Sequence, residues 1–140
     1  MKLAYKWTDS RSTLAGRLQP NPFIPEHRGL LNLAYATKFE KWKFDFTLQI
    51  IGKMRIPSTE NNPEKYRLPS FSSPYPQLNA QITKGFKKWE LYLGGENLTN
   101  FKAAPVILSP DNTASPYFDA SMVYAPTMGI NIYAGFRTKF

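Results

Sequence analysis

From Trp42 to Ile50 the chain alternates without a break. Trp42, Phe44, Phe46, Leu48 and Ile50 are apolar, and Lys43, Asp45, Thr47 and Gln49 between them are polar. Successive side chains of a strand point to opposite faces, whereas a helix would scatter this set around its circumference. The segment therefore predicts a strand with one apolar and one polar face. The same period recurs further on. Leu78, Ala80 and Ile82 alternate with Asn79, Gln81 and Thr83, and Trp89, Leu91 and Leu93 with Glu90, Tyr92 and Gly94. At the end of the chain Ile130, Ile132, Ala134, Phe136 and Phe140 oppose Asn131, Tyr133, Arg137 and Lys139.

Prolines mark where these strands stop. None of the 12 lies between Glu26 and Ile56 or between Gln77 and Ala104. A proline has no N–H to give to a ladder, so the proline-free windows are where paired strands belong. The pattern predicts six strands, at about 2–8, 27–38, 42–55, 77–86, 88–98 and 127–140. Tight turns at 39–42 and 86–88 alternate with long loops over 9–26, 56–76 and 99–126. Both turns read Phe-x-Lys-Trp, at Phe39–Trp42 and Phe86–Trp89, which makes a weak internal repeat. The expected fold is all-β: an antiparallel up-and-down meander of about six strands.

Short turns on one rim and long loops on the other are the habit of outer-membrane barrels, and loops this long are uncommon in compact soluble domains. No run of about 18 apolar residues occurs, so a transmembrane helix is excluded. A barrel strand needs only about 10 residues with every second one apolar. Phe39, Trp42, Phe86, Trp89 and Phe140 fall at the short-turn rim, where a membrane barrel gathers its aromatics. The net charge of +8 gathers there too, in Lys38, Lys41, Lys43, Lys84, Lys87, Lys88, Arg137 and Lys139. These read as solvated turn cations near a membrane surface, not as a nucleic-acid footprint. Phe44, Phe46, Leu48, Leu91, Leu93, Ile132 and Phe136 are then expected to face lipid, and Asp45, Gln81 and Glu90 a watery lumen. Two alternatives are a small soluble or periplasmic β-barrel that binds an apolar ligand and a small structural outer-membrane barrel.

Chemistry-bearing patterns are sparse. There is no cysteine and one histidine, which removes thiol catalysis, cysteine-ligated metals and histidine clusters. His27 has no Gly-x-Ser-x-Gly to accompany it, so an enzyme is not expected, and the histidine is placed at a loop edge pairing with Glu26. Asp111, Asn112 and Asp119 lack the spacing of a calcium loop and read as turn residues. Neither a metal nor a cofactor is expected. Gly94-Gly95 fits no phosphate cradle and reads as a strand position that a neighbouring side chain, or a plug, approaches closely. Tyr66, Phe71, Tyr75, Tyr117, Phe118 and Tyr124 lie toward the long loops, as loop packing or membrane-interface aromatics.

One stretch carries a family likeness. Leu91-Tyr92-Leu93-Gly94-Gly95-Glu96-Asn97-Leu98-Thr99-Asn100-Phe101 resembles the G-x-x-N-L-T/F-N/D block near the end of TonB-dependent outer-membrane receptors. Asn97-Leu98-Thr99, which also matches a glycosylation sequon, reads as part of this strand block. Tyr117-Phe118-Asp119-Ala120-Ser121, then Pro126 and Gly129 to Gly135, resemble the closing strands of the same family, and Pro25-Glu26-His27-Arg28 resembles the start of an upstream strand. Phe140, with Phe136 on the same stripe, looks like the C-terminal signal read by the barrel-assembly machinery, although Thr138 departs from its usual bulky residue. The resemblance implies residues 1–140 as a C-terminal segment of a barrel of about 22 strands in the bacterial outer membrane. It implies uptake of a scarce nutrient, such as an iron chelate, cobalamin or a glycan. TonB would be reached only through a plug-bearing region N-terminal to these residues. In keeping with this, residues 1–9 have no apolar signal-peptide core, and further sequence is expected upstream.

Overall fold

The computed structural model describes residues 1–14 and 16–138. Eight strands are present among them: β1 (Lys2–Trp7), β2 (Arg11–Leu14), β3 (Arg17–Pro20), β4 (His27–Ala36), β5 (Trp42–Ile51), β6 (Tyr75–Gly85), β7 (Trp89–Glu96) and β8 (Asn131–Thr138). Six of them form one antiparallel sheet in the order β1-β4-β5-β6-β7-β8, and β2 and β3 make a separate hairpin. Apart from that hairpin, the main sheet is the meander that alternation predicted. The sheet is not closed: β1 and β8 are its two edges.

Register keeps the period-two pattern in phase from strand to strand. Phe44 pairs with Tyr35 on one side and Ile82 on the other, Ile82 with Leu93, and Leu93 with Ala134. The polar row next to it runs through Ala34, Asp45, Gln81, Gly94 and Tyr133. A slip of one residue in any pair would put an apolar row onto the polar face, so the sequence pattern selects this register.

Two glycines permit one crowded spot on the polar face. A Cβ at Gly94 would fall on the ring of Tyr133, and a Cβ at Gly135 on the ring of Tyr92. Each tyrosine ring covers the glycine opposite it, which meets the expectation of a close approach at Gly94, with a neighbouring side chain as the visitor. Tyr133 also donates its hydroxyl to Gln81 Oε1 at 3.0 Å. Replacing Gly94 with valine should displace Tyr133 and cost about 1–3 kcal/mol, the usual penalty of overpacking. A urea midpoint unchanged from the parent would show that the ring is not seated there.

Five boundaries and one loop differ from expectation, the first being β4, which stops at Ala36. β5 stops at Ile51, and β8 begins at Asn131. β6 begins at Tyr75 and contains Pro76, which the proline rule excluded. Pro76 is tolerated because β7 pairs with β6 only from Ala80 onward, so no donor is needed at Pro76 on that side. The loop over 9–26 holds the β2–β3 hairpin, whose Arg11-Ser12-Thr13-Leu14 lacks a clear alternation. β7 ends at Glu96, so Asn97-Leu98-Thr99 is a turn and not part of a strand.

The buried apolar residues lie at the long-loop end of the molecule. Ile51, Met54 and Tyr75 form one cluster with Phe101 and Tyr124, and Ile56, Leu108 and Met122 form another with Phe23, Leu68 and Tyr124. Four of these six core residues, Met54, Ile56, Leu108 and Met122, belong to loops and not to strands. The loops are cross-bonded as well: Ile56 N donates to Ser70 O, Ser72 N to Met54 O, and Ala103 N to Pro126 O, each at 2.9 Å. Of the loop aromatics, Tyr75 stacks on Phe101 at 4.2 Å and Tyr66 on Tyr117 at 6.0 Å, which is loop packing. The long loops thus make a folded cap with its own core.

Candidate functional site

The sheet itself carries no core on its apolar face. Leu3 is 75% exposed, Phe136 71%, Ile132 61% and Leu93 52%, and Tyr5, Trp7, Tyr35, Phe44, Ile50 and Leu91 on the same face are exposed too. Phe46 and Leu48 share that face and are half-buried among their neighbours. Soluble monomers rarely show a contiguous apolar patch above a few hundred Å² unless something covers it. This face spans all six strands.

At the short-turn end the face is edged by aromatics and lysines. Phe86 stacks on Trp89 with centroids 3.8 Å apart and planes 12° off parallel. Trp42 and Phe44 stack at 6.4 Å. Lys84 places its ammonium 4.9 Å from the Trp42 ring centre and 5.4 Å from that of Phe86, so one cation bridges the two turns. Phe39 stands 90% exposed on a turn whose residues Phe39 and Glu40 have φ of 58° and 51°. The second turn is instead closed by Phe86 N donating to Trp89 O at 2.8 Å. The two Phe-x-Lys-Trp turns are therefore alike in sequence and different in backbone, which limits the internal repeat. Phe39, Trp42, Phe86 and Trp89 come together at this end of the sheet. Phe136 lies one step along the apolar face, opposite Leu91. Phe140 and Lys139 lie outside the described residues.

The opposite face is knitted by polar side chains. Asn32 Nδ2 donates to Asp45 Oδ1 and to Thr47 Oγ1, each at 2.9 Å. Glu90 is 4% exposed, with Lys43 Nζ 3.0 Å and Arg137 3.8 Å from its carboxylate oxygens. Lys43 also reaches Glu40 at 3.1 Å. Lys43 is thus not the solvated turn lysine that composition implied. It is a strand residue, and its ion pair with Glu90 spans β5 and β7 across the intervening β6. Lys84 departs from the same reading because its stem lies on the apolar face. The buried Glu90 escaped sequence reasoning, since its partners are joined to it only by register. Parity was the available signal: Lys43, Glu90 and Arg137 all fall on polar positions.

Near the loops, Asn97 acts as a knot. It is buried, with φ of 49°. Its amide nitrogen donates to Phe101 O at 2.8 Å and Met128 O at 2.9 Å, and its amide oxygen accepts from Phe101 N at 3.2 Å. Its backbone N–H donates to Asn79 Oδ1 at 2.9 Å. One side chain therefore ties the end of β7 to both ends of the long loop that leads to β8. His27 is not paired with Glu26, as the sequence implied. It shares a 2.7 Å hydrogen bond with the Tyr5 hydroxyl, because β1 pairs with β4 and brings Tyr5 to the same face.

No protein-family model matches the chain, and neither a curated protein nor a solved structure matches it.

Proposed function

We propose that this chain is part of the wall and the external loops of a transmembrane β-barrel in the bacterial outer membrane, within a TonB-dependent receptor that takes up a scarce nutrient. The observation that carries the membrane reading is the inversion of the sheet. Its apolar residues are exposed and edged by aromatics and lysines, while its polar face is bonded side chain to side chain. Lipid suits the first face, and a wet lumen suits the second. The open edges at β1 and β8 support a larger wall, because unpaired backbone groups in lipid cost several kcal/mol each. The receptor assignment rests on the Leu91-to-Phe101 resemblance. On this reading Phe140 and Phe136 are offered to the barrel-assembly machinery, and TonB is engaged by a region outside these residues.

No cysteine lies in these residues, so single cysteines can be placed among them one at a time, in a cysteine-free background of the whole protein. In the protein reconstituted into vesicles, a water-soluble maleimide should label positions 45, 47 and 49 and spare positions 44, 46 and 48. Equal labelling of both sets, or the reverse pattern, would remove the membrane reading. The receptor reading is tested by the coding sequence upstream of Met1, which should continue in frame into a plug domain and a signal peptide. An upstream stop codon with no such region would overturn it.

A further inference from the structure

Two grooves meet at the short-turn rim. The first, of about 790 Å³, lies between the two turns, walled by Phe39, Trp42 and Phe86 and by Lys41, Lys84 and Lys87. The second, of about 630 Å³, runs along the apolar face over Ile82, Leu91, Leu93, Ala134 and Phe136. Trp42 and Lys84 line both, so the grooves adjoin at the bracketed ammonium.

The charge balance of this junction is one-sided. Glu40 and Glu90 also line the first groove, but Lys43 and Arg137 approach them from the polar face, at 3.0 to 3.8 Å. Lys41, Lys84 and Lys87 make no ion pair among the described residues. Three cations therefore stand at the mouth of an apolar channel. The complementary occupant has an anionic phosphate at one end and a hydrocarbon tail at the other.

We propose that the two grooves form a single seat for an anionic phospholipid. Its phosphate lies against Lys41, Lys84 and Lys87, and one acyl chain follows Ile82, Leu93 and Phe136. Phe86, which stacks on Trp89, closes one side at headgroup level, where aromatic rings are favoured. Lys84 is the pivot, because its two ring contacts hold the ammonium at the junction instead of leaving it free in solvent. This seat rests on the membrane reading above.

The test uses the whole protein that carries this chain, purified from membranes in mild detergent, stripped of lipid and titrated with phosphatidylglycerol or phosphatidylethanolamine under native mass spectrometry. One phosphatidylglycerol should be retained in preference to phosphatidylethanolamine, by roughly fivefold for each lysine that meets the headgroup. Lys84→Gln should lose a like factor, and so should Lys41→Gln or Lys87→Gln, whose turn positions leave the sheet intact. Lys53→Gln, on the long-loop side over Phe71, should keep the preference. Equal retention of the two lipids, or equal loss from Lys84→Gln and Lys53→Gln, overturns the seat and leaves the membrane reading standing. Retention of neither lipid also overturns the seat, and the membrane reading is then decided by the maleimide scan. A lipid-free dimer that added lipid does not dissociate also overturns the seat, because a second copy then covers the face.

Discussion

Replacing Asn97 with alanine is expected to lower stability by about 3 kcal/mol or more and to free the long loop between β7 and β8. The side chain is 4% exposed and serves Phe101 O, Met128 O and Phe101 N at once. Each buried backbone group left without its partner costs about 1–3 kcal/mol, and water entering the cavity would recover part of that. Alanine adds a backbone penalty, since the φ of 49° lies in a region that suits Asn or Gly and costs another residue about 1–2 kcal/mol. Asn97→Gly separates the two contributions. It should lose the hydrogen bonds but not the backbone fit, and so fall short of alanine by about 1 kcal/mol. Asn97→Asp keeps an acceptor for Phe101 N but turns a carboxylate toward two carbonyls, and should be as harmful as alanine. Urea titration followed by tryptophan fluorescence reads the stability, and limited proteolysis between residues 99 and 130 reads the loop. An alanine variant within about 0.5 kcal/mol of the parent would mean the knot is ornamental.

Two neighbours on β5 provide the sharpest contrast for the membrane reading. Leu48 lies on the apolar face, paired with Leu31 and Leu78, and Gln49 lies on the polar face, paired with Leu30 and Gln77. They share a strand and nearly a depth, and differ only in which way they point. Leu48→Arg should cost about 2–4 kcal/mol if that position lies near the middle of the bilayer, and Gln49→Arg about 1 kcal/mol or less if it meets water. The measurement is the urea dependence of folding into phospholipid vesicles. In a soluble barrel with these apolar residues turned inward, Leu48→Arg would still be harmful, but the folded state would form without vesicles. Folding of the parent in plain buffer, with the same ranking of variants, would therefore count against the bilayer and not against the sheet.

The exposed apolar face, the rim and the folded loop cap divide the molecule along its strands. Rim lysines and aromatics mark one end, and the buried clusters around Met54 and Leu108 mark the other. On the proposed reading the cap is the part presented to the outside. Its shape would depend on Asn97 and on loop packing more than on the sheet, which is why the Asn97 variants should change the loops before the wall.

By itself the sequence determined the six strands of the main sheet, their faces and their sequential order. Period two is a local property of the chain, written in runs such as Trp42 to Ile50, and the short turns at 39–42 and 86–88 leave the strands they join no choice but antiparallel pairing. Proline placement located the breaks for a similarly local reason, and it failed at Pro76 because whether a donor is needed depends on a neighbouring strand. What only the tertiary structure decided depends on register and on contacts between loops. Glu90 is buried because register sets it beside Lys43 and Arg137, although 47 residues separate it from Lys43. Asn97 is a knot because Met128, 31 residues away, returns to it. The β2–β3 hairpin and the clusters of Ile56, Leu108 and Met122 have no periodic signature, since loop residues pack by shape and by hydrogen bonds that no fixed spacing encodes. Lys84 shows the same limit at a single side chain. Its charge is plain in the sequence, but its position between Trp42 and Phe86 exists only once the two turns stand side by side.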